Sequence, residues 1–270
     1  MNPVRNKSPK AIADMPLASR ISNGVKPKKR LGQHFLRNKK ILEEIARAAE
    51  LSKRDIVLEV GPGHGELTEF LAASAGKVIA VEKDHELTLF LKEKFKNYKN
   101  VEIVEGDILK IGKLKIENYK VAANLPYYIT SRFLRAFLEA KNKPKLMVLM
   151  VQYEVAKRIC AKPPGMNLLA LSVQAYARPK FIRKVSKKYF FPPPKVDSAI
   201  IKLLNIECST CSTLPPKFWK VVRLAFQQKR KMLRHLSVPK KYETKRPQEL
   251  SLEDWLKIIR SRKYLTCHPK

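Results

Sequence analysis

The sequence predicts an α/β fold built on a mostly parallel sheet, followed by a small basic helical region. Three observations lead to this prediction. Short apolar runs alternate with helical patterns between residues 56 and 151, as in strands joined by crossover helices. A glycine-rich turn, residues 61–65, follows the first apolar run. Beyond residue 205 the strand patterns give way to basic helical ones.

Composition indicates the class of partner. The 270 residues include 56 Lys and Arg against 24 Asp and Glu, a net charge of +32. This excess favours a polyanion, with nucleic acid the first candidate and an anionic membrane surface the second. No apolar run reaches the ~20 residues of a membrane span and no signal-peptide pattern is present, so we expect a cytoplasmic protein. The cysteines, Cys160, Cys208, Cys211 and Cys267, are too few and irregular for a disulfide framework, and we expect no metal site.

The chain divides into three parts. Residues 1–27 are basic with a single acid and no periodicity, which predicts a disordered tail. Residues 28–204 are expected to form one α/β domain. Residues 205–270 are expected to form a small helical domain, with a helix over 218–236 whose basic face contacts RNA phosphates.

A candidate lid precedes the α/β pattern. The basic cluster at residues 28–30 runs into Gln33, His34 and Leu36, which we expect to fold over a ligand. A solvated linker is the alternative. Asn38 is expected to cap the helix that follows.

The glycine turn identifies the kind of ligand. It follows the strand Ile56–Val60 and opens a helix, so Gly61 and Gly63 allow a ligand close to the backbone in a Rossmann-like arrangement. The spacing is G-x-G-x-G, whereas dinucleotide-binding turns have G-x-G-x-x-G. The turn therefore favours a nucleoside without a pyrophosphate.

Two acids stand at the ends of the next strands. Glu82 lies about 20 positions after Gly61, the offset at which such folds place a carboxylate on ribose hydroxyls. Asp107 follows the strand 101–104 and is positioned to accept a hydrogen bond from an adenine amino group. The alternatives are a helix start for Glu82 and a plain turn residue for Asp107.

The fourth strand, 121–123, leads into Asn124-Leu125-Pro126-Tyr127. The Asn124 amide and the Leu125 carbonyl suit an exocyclic amine, and Tyr127 suits a base face. An ordinary capped turn is the alternative. Phe190 or Phe191 can form a second aromatic wall, unless both lie in the core. Further strands are predicted at 145–151, 171–176 and 198–204.

Six segments occur in order and together are distinctive: Leu31-Gly32-Gln33-His34-Phe35-Leu36; Leu58-Glu59-Val60-Gly61-Pro62-Gly63-His64-Gly65-Glu66-Leu67-Thr68; Glu82 with Gly106-Asp107; Asn124-Leu125-Pro126-Tyr127; Phe190-x-Pro192-x-Pro194-Lys195-Val196-Asp197-Ser198; and Phe226-x-x-Lys229-Arg230-Lys231. Over residues 28–262 the chain resembles the KsgA-type rRNA adenine N6,N6-dimethyltransferases. The resemblance implies a class I S-adenosylmethionine-dependent methyltransferase with a small C-terminal helical domain. It also implies dimethylation of two adjacent adenosines in small-subunit rRNA, within an assembling small ribosomal subunit, by a monomer.

The same resemblance assigns roles. The implied cofactor-binding residues are His34, Leu36, Gly61, Gly63, Glu82, Asp107 and Asn124. The implied catalytic residues are Asn124, Leu125, Tyr127 and Phe190, with Phe190 stacking on the target base opposite Tyr127. Many family members have Asn at the position of His34, and the interval between Leu236 and Arg246 is shorter than the family leads us to expect.

Three rival functions remain at this point. An Erm-type methyltransferase acting on large-subunit rRNA uses the same chemistry, although Gly32 and Leu125 favour the small-subunit type. An NAD-dependent oxidoreductase is disfavoured by the glycine spacing. A non-catalytic RNA-binding assembly factor is disfavoured by the intact Glu82, Asp107 and Asn124.

Overall fold

The computed structural model describes residues 27–110, 116–206 and 214–261. The tail predicted over residues 1–27 lies outside this part except for Pro27. Cys208, Cys211 and Cys267 also lie outside it.

The described residues form nine strands, of which seven make one mixed sheet and two make a separate short ladder. The strands are β1 (Phe35–Leu36), β2 (Ile56–Val60), β3 (Lys77–Glu82), β4 (Val101–Glu105), β5 (Tyr119–Asn124), β6 (Met147–Gln152), β7 (Arg178–Val185), β8 (Phe190–Phe191) and β9 (Ser198–Leu204). The large sheet has the order β4-β3-β2-β5-β6-β9-β7, and β1 pairs with β8. The five strands from β4 to β6 are parallel. Strand β9 runs antiparallel to both of its neighbours, β6 and β7, so β7 points in the same direction as the five.

The chain order reverses between β2 and β5, because β3 and β4 extend the sheet on one side and β6 on the other. In parallel sheets, ligands bind at the carboxyl ends of the strands beside such a switch point. Val60, Glu82, Glu105 and Asn124 end the strands β2 to β5. Gly61, Glu82, Asp107 and Asn124, four of the predicted site residues, lie at these ends or just after them.

The described helices are α1 (Lys39–Ala48), α2 (Glu66–Ser74), α3 (His85–Lys94), α4 (Thr130–Leu138), α5 (Tyr153–Ile159), α6 (Leu168–Gln174), α7 (Phe218–Gln227), α8 (Lys240–Glu243) and α9 (Leu252–Arg260). As predicted, Asn38 caps α1, its side-chain oxygen accepting from Ile41 N at 3.1 Å. None of the described helices is long and apolar enough to cross a membrane.

Alternation along the strands gives the sheet two apolar faces. Val57, Val78 and Val148 pack beneath α1 and α2, whereas their neighbours Leu58 and Ile79 face the other way. That second face is shared with helices α4, α6, α7 and α9, including Phe218 and Trp255. The C-terminal helices therefore share one hydrophobic cluster with the sheet.

Two predicted elements are wrong. Residues 171–176, predicted as a strand, belong mostly to helix α6, because Asn167 caps it by accepting from Ala170 N at 3.0 Å. Short apolar runs do not distinguish a strand from a buried helix. The helix predicted over 218–236 ends at Gln227, since the following residues 228–232 are exposed and have no apolar face to bury. Strand β7 was not predicted; its basic sequence suits the sheet edge that it forms.

Candidate active site

A cleft lies over the carboxyl ends of β2 to β5, the edge at which parallel sheets bind their ligands. The predicted site residues lining it are His34, Leu36, Gly61, Gly63, Glu82, Asp107, Asn124, Leu125 and Tyr127. Phe190 is the one predicted site residue that does not line this cleft. The predicted residues other than Phe190 therefore meet in one cleft, and their assigned roles stay predictions.

The floor of the cleft is the glycine turn. Gly63 has φ +63°, and a Cβ there would lie 2.8 Å from the Phe35 ring. Gly61 has φ +66° and faces Pro126, whose ring is 3.6 Å from where a Cβ would be. Side chains are therefore excluded from the turn by its positive φ angles and, at Gly63, by the Phe35 ring, so that bare backbone lines the cleft.

Glu82 is a buried acid at the end of β3. Burial raises the pKa of its carboxyl, while backbone N–H donors oppose this shift. Its Oε1 accepts from Lys83 N and Asp84 N, both at 2.8 Å, and Oε2 receives only a long 3.4 Å contact from Gly63 N. Because a carboxylate has about four acceptor sites, Oε2 can still accept from ribose hydroxyls.

Asp107 is engaged by a neighbouring cation. Lys83 Nζ lies 2.9 Å from Asp107 Oδ2, and this hydrogen bond lowers the pKa of Asp107. Asp107 Oδ1 accepts from Leu109 N at 3.0 Å. An adenine amino group that binds Asp107 would compete with Lys83 for Oδ2.

The predicted lid is an ordered strap, residues 28–36, held at both ends. At its start, Lys28 Nζ lies 2.7 Å from Asp84 Oδ1, and Gln33 Nε2 donates to Asp84 Oδ2 at 3.2 Å. At its other end, the ladder between β1 and β8 anchors Phe35 and Leu36. Residues 31–36 line the cleft between these two anchors.

Asn124 faces the strap from the end of β5. Its Nδ2 donates to the His34 carbonyl at 3.2 Å. Holding one end of the amide fixes the other, so the side-chain oxygen has a set direction at the cleft edge. This oxygen is the acceptor that an exocyclic amine requires.

The aromatic pair differs from the prediction. Tyr127 Oη lies 2.6 Å from Ser198 Oγ, and the Tyr127 ring stacks with His34 at 6.0 Å between centroids. Phe190 is 4% exposed and packs in the core with Leu36. The β1–β8 ladder explains this, because Phe190 lies opposite Leu36 and shares its inward face. The described structure therefore pairs Tyr127 with His34, and the prediction that Phe190 stands opposite Tyr127 is corrected.

Glu59 is a cleft residue that the sequence reasoning missed. Its carboxyl is 1% exposed, and burial raises its pKa to about 8. Thr68 Oγ1 donates to Glu59 Oε2 at 2.6 Å. The available signal was an acid inside the apolar strand Ile56–Val60, since a buried carboxyl is rarely kept without a partner or a role.

The fold and the cleft define a Rossmann-like methyltransferase. The chain superposes on a dimethyladenosine transferase from Plasmodium falciparum with a TM-score of 0.73 and 30% identity, covering 83% of this chain and 96% of that one. It also superposes on the 23S rRNA methyltransferase ErmE with a TM-score of 0.68 and 28% identity, covering 84% and 98%.

The sequence comparisons define the family. The model of the ribosomal RNA adenine dimethylase family matches residues 24–260. A relative from Dehalococcoides mccartyi (strain CBDB1), named ribosomal RNA small subunit methyltransferase A, is 44% identical over 255 residues, covering 87% of this chain and 88% of the relative. The chain belongs to the ribosomal RNA adenine dimethylase family. This membership confirms the predicted fold class, the S-adenosylmethionine cofactor and the adenine-dimethylating activity, and the predicted small-subunit rRNA substrate agrees with the relative's name.

Proposed function

We propose that this cleft dimethylates N6 of adenosines in small-subunit rRNA, with Asn124 as the residue that orients the amino group. The observation that carries the proposal is the fixed Asn124 amide, held by the His34 carbonyl at the edge of the cleft. The family supplies the reaction, and the residue roles are our inference.

The cofactor fits the residues present. Gly61 and Gly63 present bare backbone to the cleft, Glu82 offers an acceptor for ribose, and Asp107 offers one for the adenine amine after Lys83 moves aside. His34 and Leu36, on the strap, border the remaining side of the cleft. When bound, S-adenosylmethionine supplies an electrophilic methyl group.

The protein's part in catalysis is to present the amino group. Adenine N6 is a weak nucleophile because its lone pair is delocalised into the ring. Hydrogen bonds from the N6 hydrogens to the Asn124 oxygen and the Leu125 carbonyl would favour a pyramidal N6, which localises the lone pair on the nitrogen and directs it at the methyl group. Positioning and exclusion of water supply the acceleration, so no strong base is required.

Tyr127 would hold the target base against the cleft. Its hydroxyl is tied to Ser198, and burial raises its pKa, so the ring is neutral and fixed. Taking a base out of its stack costs a few kcal/mol, and one aromatic contact returns ~1–3 kcal/mol.

Exposed cations on the C-terminal part support an RNA substrate. They lie on and just after helix α7: Lys220, Arg223, Lys229, Arg230, Lys231 and Arg234. Such a cluster suits phosphates. In this proposal the enzyme acts as a monomer, and its substrate is an assembling small ribosomal subunit. The cytoplasmic location stays a prediction.

The cofactor assignment is tested by calorimetry with S-adenosylmethionine. Glu82→Gln should weaken binding about 10- to 100-fold, because a hydrogen bond to a charged group contributes ~1.5–3 kcal/mol. Glu105→Gln is the matched control, since Glu105 ends the neighbouring strand but faces His85. Equal affinity for Glu82→Gln and wild type would remove Glu82 from the cofactor site.

A further inference from the structure

Phe191 is an exposed aromatic residue paired with the strap that lines the cleft. It is 48% exposed, whereas its neighbour Phe190 is 4% exposed. An aromatic side chain of this size normally buries most of its surface. The β1–β8 ladder places Phe191 opposite Phe35, which lines the cleft.

The ring of Phe191 is held in place. Its backbone is paired with Phe35, and Arg37 N donates to Tyr189 O at 3.0 Å beside that pair. The Arg37 guanidinium carbon lies 4.2 Å from the Phe191 ring centroid, within the range of a cation–π contact. Because the Phe191 ring is already held in place, stacking a base on it would cost little side-chain conformational entropy.

A short series of contacts links Phe191 to the proposed target slot. Pro192, the next residue, accepts a hydrogen bond through its carbonyl from His34 Nδ1 at 2.7 Å. His34 in turn stacks with Tyr127. A target base stacked on Tyr127 and the next base of the same RNA chain would then contact two aromatic rings, Tyr127 and Phe191, which are connected through His34 and Pro192.

The charge around this ring suits a polyanion. Arg37, Lys188 and Lys195 are exposed cations on the segments that carry β1 and β8. The acid in the same segment, Asp197, is occupied by Lys184 at 3.0 Å. Aromatic rings among cations form the usual platform for single-stranded nucleic acid.

We propose that Phe191, with Arg37 packed on it, stacks the base of a nucleotide adjacent to the target adenosine. This inference rests on the proposed entry of the target base beside Tyr127. It assigns Phe191 to binding the flanking RNA and not to the methyl transfer itself.

The platform is tested first on the complete reaction, with undermethylated small ribosomal subunits and S-adenosylmethionine. Phe191→Leu keeps an apolar side chain but removes the ring face, so KM for the particle should rise about tenfold with little change in cofactor affinity. Phe191→Tyr should restore the wild-type KM. Tyr98→Leu is the control, because Tyr98 is similarly exposed, at 43%, but lies just before β4 and so at the amino ends of the parallel strands, opposite the edge that carries the cleft.

A second arm identifies the contact as base stacking. The probe is a short single-stranded RNA with one adenosine, carrying an abasic nucleotide on either its 5′ or its 3′ side. On one of these sides the abasic nucleotide should weaken binding to the wild type about tenfold and binding to Phe191→Leu hardly at all.

Three results would overturn the proposal: RNA affinity of Phe191→Leu within twofold of wild type, an equal abasic effect for both proteins on both sides, or a KM change on particles without any change on RNA. The last result would assign Phe191 to a ribosomal protein. Failure of the Asn124 role is a separate outcome, because it is read from methyl transfer by an Asn124 variant whose RNA affinity is unchanged.

Discussion

Replacing Asp84 by asparagine removes the charge that holds the start of the strap over the cleft. Asp84 has a fully buried side chain that accepts from Lys28 Nζ at 2.7 Å and from Gln33 Nε2 at 3.2 Å. Burial alone would raise the pKa of Asp84, but the hydrogen bonds from Lys28 and Gln33 outweigh it and lower the pKa. Its carboxylate therefore stabilises the fold at neutral pH, and this contribution disappears as pH falls through the lowered pKa.

The magnitude follows from the interactions that asparagine cannot make. Asparagine keeps the shape and, with its oxygen at the Oδ1 position, the cap on Glu86 N. The substitution removes the charged pair with Lys28, and it also removes the weaker hydrogen bond from Gln33, because the new amide nitrogen cannot accept it. A hydrogen bond to a charged group contributes ~1.5–3 kcal/mol. Lys28 is 28% exposed, so solvent screening reduces this to about 1–2 kcal/mol. If strap closure is fully coupled to cofactor binding, the Kd for S-adenosylmethionine rises by up to about 5- to 30-fold.

The assay is calorimetry with S-adenosylmethionine, with hydrogen exchange of residues 28–36 measured alongside. Lys28→Met should reproduce the effect, and the double variant should add little to either single one. Glu86→Gln is the control, because Glu86 is 57% exposed and its contact with Lys28 is longer, at 3.3 Å. Unchanged cofactor affinity together with unchanged exchange in Asp84→Asn would refute the proposed role of Asp84 in holding the strap.

Three further predictions concern the cleft and its floor. Lys83→Met frees Asp107 from its exposed ion pair, so S-adenosylmethionine should bind about two- to fivefold more tightly and with less dependence on salt; weaker binding would mean that Lys83 assists the cofactor. The raised pKa of Glu59 means that the folded state binds the Glu59 proton more strongly than the unfolded state does. The wild-type protein should therefore lose stability as the pH rises from about 4.3 to 8, and Glu59→Gln should lose less over the same range in denaturant unfolding. Parallel plots of unfolding free energy against pH for the two proteins would contradict this. Gly65→Ala places a Cβ 2.5 Å from Phe95 at φ +82° and should cost about 2–5 kcal/mol in thermal unfolding, whereas Gly165→Ala, which meets only ordinary contacts, should change stability by less than about 0.5 kcal/mol.

The sequence located the cleft because its residues follow strand ends. In a parallel sheet these ends meet at one edge, so Gly61, Glu82, Asp107 and Asn124 could be brought together without knowledge of the packing. The lid was also foreseen, since polar residues flanked by a basic cluster and a capped helix are poor core material.

What the sequence did not reveal depends on contacts between distant segments. The strap is anchored by the ion pair between Lys28 and Asp84, and Asp107 is engaged by Lys83. No local sequence pattern specifies such partners. The choice between Phe190 and Phe191 depended on the register of the β1–β8 ladder, because a shift of one residue exchanges the two faces. The error at residues 171–176 came from a run too short for its period to be read.

The central claim, that Asn124 orients the amino group of a small-subunit adenosine, is tested most directly by methyl transfer to undermethylated small ribosomal subunits. Wild-type protein and Asn124→Ala are each given labelled S-adenosylmethionine, and the modified nucleosides are mapped. We expect wild type to form N6,N6-dimethyladenosine in small-subunit rRNA. Asn124→Ala should bind the particle with similar affinity but transfer methyl groups about 100- to 1000-fold more slowly, as when one oriented hydrogen bond to the reacting group is removed. Full activity of Asn124→Ala, or label confined to large-subunit rRNA, would contradict the claim.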